Sequence, residues 1–200
     1  MKKIVRFGLP LLAACAFATA SHAGTIVDTG AGAPTYYSGY ALASYQWLGS
    51  QFTLDSAHTL SSVNGWMSAP GGGTLQMSIR STVGGLPGNA LFSTDITAPG
   101  GTDQKWVGAS GLNWKLDAGS YFVAFEVPQA YSFHGSMAFD APRPSGQMVF
   151  MSDSAWRNTS GAMGLQVFGD AAQGDVPEPA SIALVGLALA GLAFSRRKRA

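Results

Sequence analysis

Residues 120–128 read SYFVAFEVP, with Tyr121, Val123, Phe125 and Val127 alternating against Phe122, Ala124 and Glu126. In a strand, successive side chains point to opposite faces, so this stretch predicts a β-strand with one buried face. Residues 73–81, GTLQMSIRS, repeat the pattern with Leu75, Met77 and Ile79 on one side and Gln76, Ser78 and Arg80 on the other. Further strand candidates are YQWLGSQFTLD, LSSVNGWMS, NALFSTDI, QKWVGASGLNW, YSFHGSMAFD, GQMVFMS and MGLQVFG. Between them SAPGGG, VGGLPGN, TAPGGT and LDAGS supply the glycines and prolines that reverse a chain. No long amphipathic helical period interrupts them. Roughly nine short strands with turns between them predict an all-β domain, a single β-sandwich over residues 24–173.

Composition fits one such domain. The chain has 200 residues, 46% apolar, 11% aromatic and 12% charged. About 150 residues bury roughly 68 to 70% of the unfolded chain's surface, enough for a core without cross-links. The net charge of +1 hides an uneven distribution, because Lys2, Lys3 and Arg6 sit at one end and Arg196, Arg197, Lys198 and Arg199 at the other. Between Gly24 and Val176 ten Asp/Glu face five Lys/Arg, which argues against nucleic acid as a partner. The one cysteine, Cys15, lies before this region, so the domain is expected to hold no disulfide and no cysteine-based metal site.

The first 23 residues read as an export signal. MKKIVRF is a basic start, GLPLLAACAFATA an apolar run, and Ser21, His22 and Ala23 a small-residue pattern that places cleavage before Gly24 by signal peptidase after the Sec translocon. Leu12, Ala13, Ala14 and Cys15 also fit a lipoprotein box, in which Cys15 is lipidated. The apolar run before Cys15 is short and broken by Pro10, so the signal-peptidase reading is preferred.

The other end, DVPEPASIALVGLALAGLAFSRRKRA, joins an acid-flanked Pro-Glu-Pro to an uncharged run over residues 180–195 and four basic residues. The run is at the lower limit for a membrane-crossing helix, about 17 residues when its flanks are counted. The basic cluster holds its own end in the cytoplasm, which places the domain across the membrane, as the export signal also requires. A buried core helix with a basic tip is the plain alternative, and it accounts for neither the Pro-Glu-Pro nor the charge cluster. Val176, Pro177, Glu178, Pro179 and Ala180, followed by the apolar run and Arg196–Arg199, resemble the PEP-CTERM sorting signal of exported proteins in Gram-negative bacteria that make exopolysaccharide. The resemblance, over residues 174–200, implies an exosortase-type membrane protease as partner, transient anchoring in the inner membrane, and transfer to the cell envelope or beyond. Three segments, SQFTL, STVGGLPG and LDAGSYFVAFE, are also similar to jelly-roll ectodomains joined to such tails.

The chain has no His-Glu-x-x-His, no Gly-Lys-Ser/Thr phosphate loop and no Gly-x-Ser-x-Gly elbow. His58 and His134 are the histidines after the export signal, and a hydrolase would need one of them in a pocket with a carboxylate. In YSFHGSMAFD, alternation groups Ser132, His134, Ser136 and Asp140 on a polar, solvent-facing row. Asp95, Asp103, Asp117, Asp153 and Asp170 stand near turns without a ligand spacing, so no metal or cofactor is expected. The five tryptophans, Trp47, Trp66, Trp106, Trp114 and Trp156, read mainly as core. Tyr36, Tyr37 and Tyr40, in a turn-rich entry segment taken as irregular, are with His134 the candidate glycan contacts. Asn158 begins an Asn-Thr-Ser triplet that is uninformative in a bacterial chain. Residues 169–176 read as a linker. The expected protein is an exported, non-enzymatic structural or adhesive component of the envelope or matrix, with a carbohydrate-binding module as the alternative and a secreted hydrolase behind it.

Overall fold

The structure, a computed structural model, describes residues 23–33, 39–130 and 132–172. Twelve strands are described: β1 (Gly24–Asp28), β2 (Gly39–Leu42), β3 (Trp47–Leu54), β4 (His58–Ala69), β5 (Gly73–Val83), β6 (Leu86–Ala98), β7 (Gly101–Leu116), β8 (Gly119–Glu126), β9 (Gly135–Ala138), β10 (Met148–Ser152), β11 (Ala155–Thr159) and β12 (Leu165–Ala171). They form two six-stranded sheets. One runs β11-β10-β3-β8-β5-β6, all antiparallel. The other is built on β4, with β7 along one side and, along the other, β12 followed by β1 and β9 followed by β2.

The sheets pack face to face. Leu48, Phe52, Met77, Ile79, Val123 and Phe125 from the first meet Leu60, Val63, Met67, Met137, Leu165 and Val167 from the second, all with no exposed surface. The contact is close enough to dictate residue size: a Cβ on Gly65 of β4 would stand 2.6 Å from Cζ of Phe125 and 2.7 Å from Cε of Met137. Along one side of the sandwich, Phe92 of β6 stacks on Trp114 of β7 with ring centres 5.4 Å apart.

Two sequence expectations need correction. The entry segment is not wholly irregular, since β1 and β2 both enter the second sheet, and buried Thr29 takes a 2.7 Å hydrogen bond from the Leu165 amide and donates one to the Met163 carbonyl. Nor does the central strand bury only one face: in β8, Phe122, Ala124 and Glu126 are as inaccessible as Val123 and Phe125. The cause lies in how the first sheet curls. Trp156 on β11 and Arg80 on β5 are separated by three strands, a span of about 19 Å in a flat sheet. Yet the Arg80 guanidinium lies 5.7 Å from the centre of the Trp156 ring. The sheet therefore rolls until β11 approaches β6, enclosing the face that alternation had assigned to solvent.

Most of the described reversals sort to two poles. Gly24, the β3–β4 turn, the β5–β6 turn, the β7–β8 turn and Ala171 share one; the β4–β5, β6–β7, β2–β3 and β10–β11 turns share the other. Because Gly24 pairs with Gly169, the chain enters and leaves the sandwich at the same pole.

Candidate functional site

At the pole where the chain enters and leaves, a cavity of about 340 Å³ is lined by Gly24, Thr53, Asp55, His58, Asp170 and their neighbours. It joins His58 to two carboxylates, the arrangement a hydrolase would need. Its geometry is not that of a catalytic pair, however. The Nδ1 of His58 lies 2.8 Å from the Ser56 carbonyl oxygen, a contact within its own turn, and no carboxylate among the described residues hydrogen-bonds the ring. His58 stands opposite Ala171 and Asp170 opposite Thr59, so the two side chains leave opposite faces of the sheet.

The enclosed face of the rolled sheet holds a second polar cluster. The Arg80 guanidinium donates to both oxygens of Glu126, Nε to Oε1 and Nη2 to Oε2 at 2.8 Å each, and its Nη1 donates to the Gly88 carbonyl. The Ser78 hydroxyl also donates to Glu126. Trp156 covers the guanidinium, and Trp47 lies 6.4 Å from Trp156 between ring centres. The Glu126 carboxylate is thus fully matched inside the fold, which makes this cluster a structural lock with no open valence for a ligand.

The sequence-derived candidates divide. Tyr40 is half-buried, its hydroxyl 3.1 Å from Thr159 Oγ1 and its ring 5.1 Å from that of Phe139. His134 is exposed. The polar row expected around it does not form: β9 covers Gly135–Ala138 alone, with every residue buried, Ser136 pairs with Ser68, and Asp140 accepts the Ala33 amide. Tyr36 and Tyr37 lie outside the described residues, as do residues 1–22, with most of the expected export signal and Cys15, and residues 173–200, with the sorting residues and apolar run. The strand β12 runs to Ala171, into what was read as linker. All five tryptophans are half-buried, and Trp66 also packs edge-on against Trp106. Among the described residues no three His, Cys, Asp or Glu side chains converge as a metal site, and no helix is long and apolar enough to cross a membrane.

After Ala172 the sequence continues into a segment with known relatives. Residues 175–198 match the PEP-CTERM protein-sorting motif. The match takes in Val176, Pro177, Glu178, Pro179 and Ala180, the apolar run, and Arg196, Arg197 and Lys198 of the basic cluster, ending one residue before Arg199. A comparison with curated proteins finds no match. The PEP-CTERM motif implies an exported protein that is anchored in a membrane and then processed, with an exosortase as the processing partner. Its parts have separable physical roles. Pro179 suits the first turn of a helix, and the prolines favour an extended stretch before it. Basic residues beside an apolar run favour the cytoplasmic side of a membrane.

Proposed function

We propose that this chain is a structural or adhesive protein of the cell envelope or extracellular matrix, associated with exopolysaccharide and delivered there by an exosortase. The supporting observation is the sorting motif at residues 175–198, placed directly after a strand-rich domain whose two ends meet at one pole. In this reading the Sec translocon and signal peptidase release the domain at Gly24, the apolar run over 180–195 holds it in the inner membrane, and the exosortase acts on Val176–Ala180. The protein is not an enzyme in this reading.

The test compares mass and location of the protein in a host carrying an exosortase and in one lacking it. Wild type should be processed only in the first. Replacing Pro177, Glu178 and Pro179 with alanine should leave a heavier, membrane-bound species in both. Equal mass and location for wild type and mutant in both hosts would reduce the tail to a plain anchor and overturn the sorting reading.

A further inference from the structure

The pole opposite the chain ends carries a second cavity of about 340 Å³, at the mouth of the rolled sheet. Two tight reversals frame it. In one, Ala43 and Gln46 exchange both backbone hydrogen bonds and push Ser44 and Tyr45 outward, leaving Tyr45 63% exposed. In the other, Asp153 and Ser154 turn β10 into β11, both with positive φ, 50° and 62°. Between the turns lie Trp47 and Met151, opposite each other on β3 and β10. Trp47 cannot shift, because its Nε1 donates to the Val127 carbonyl and its ring rests against Trp156.

We infer that this cavity binds a neutral sugar unit, with Tyr45 and Trp47 as apolar contacts and Asp153 as hydrogen-bond acceptor. The volume is at the lower end of ligand pockets, suited to one or two rings rather than a long peptide or a large cofactor. The lining alternates an aromatic floor with the hydroxyls of Ser44 and Ser152 and the carboxylate of Asp153. Among the described residues those groups meet no protein partner, so their hydrogen-bonding capacity is open. A pyranose has the complementary chemistry, an apolar C–H face for an aromatic ring and a rim of hydroxyls for acceptors. A single carboxylate, with no cation among the lining residues, selects against acidic sugars. The inference deepens the adhesive part of the proposed function and rests on it only for where the glycan is met.

The test uses full-length protein purified from a host without exosortase, so that a failure of sorting has no bearing on it. Tryptophan fluorescence and backbone-amide chemical shifts are followed while glucose, galactose, mannose, rhamnose and N-acetylglucosamine, and their short oligomers, are titrated in, with glucuronic and galacturonic acids beside them. At least one neutral sugar should give a saturable response with shifts at Tyr45, Trp47 and Asp153. Tyr45→Ala should weaken it roughly tenfold or more, and Asp153→Asn, which keeps a residue tolerant of positive φ, by a comparable factor. Tyr45 and Asp153 are both exposed, so both variants should melt like wild type. No saturable response to any neutral sugar, equal binding by wild type and both variants, or a preference for the acidic sugars would each overturn the assignment.

Discussion

Phe125 and Gly65 show how a single atom decides the fit between the sheets, because the phenylalanine ring fills the space where any other residue would put a Cβ. Phe125→Ala should cost about 3–5 kcal/mol and Gly65→Ala about 1–3 kcal/mol in urea unfolding. In the double mutant the new methyl occupies space the ring has vacated, so the combined cost should fall below the sum of the two. Gln76→Ala, half-buried at the edge of the other face, should change stability by about 0.5 kcal/mol or less. Tyr121 offers a test by pH. Burial, and then the Asp117 carboxylate, push its hydroxyl above the ordinary 10.0. The folded state holds this proton more tightly than the unfolded chain, so the contribution is complete below about pH 10 and is lost as pH rises through the folded value. Stability measured at about pH 9 and about pH 11 should therefore fall less in Tyr121→Phe than in wild type.

At the scale of strands, the two kinds of hairpin make opposite demands. The β5–β6 turn uses Gly84 and Gly85 at φ 59° and 80°, which glycine adopts without strain. The β10–β11 turn forces the same region on Asp153 and Ser154. Ser154→Gly should raise stability by about 1 kcal/mol, read as a higher melting temperature. The long strands were legible from alternation because Leu75, Met77, Ile79, Val123 and Phe125 all face the shared core as that pattern requires. The short β1, β2 and β11 were not, since four or five residues such as GYAL or AWRNT carry too little periodicity to stand out from a turn. The second face of β8 escaped for a different reason. Glu126 signals solvent unless its partner is known, and Arg80 lies 46 residues away in the chain. Glu126→Ala should leave that guanidinium without its charge partner in a largely enclosed site and cost about 3–5 kcal/mol. The far-pole cavity was equally hidden, because Tyr45 and Asp153 come together only when β3 pairs with β10, a strand from a distant part of the chain.

For the whole molecule, the domain stands without covalent cross-links: the chain's one cysteine, Cys15, precedes β1 in the sequence. Circular dichroism should show a strand-dominated spectrum, and cooperative melting should be unchanged by reducing agent. The sorting motif was legible because its three parts are contiguous and compositionally extreme, whereas the ligand-binding character of a sandwich depends on loops from distant parts of the chain. The pairing of Gly24 with Gly169 also makes the fold topologically portable. A few added residues could join the two ends, and new ends could be opened at the exposed turn of Pro70, Gly71 and Gly72 on the opposite pole. Such a circular permutant would keep every strand in register while hanging from its sorting tail upside down. It would then turn the Tyr45 cavity toward the membrane, separating what the domain binds from the direction in which it is displayed.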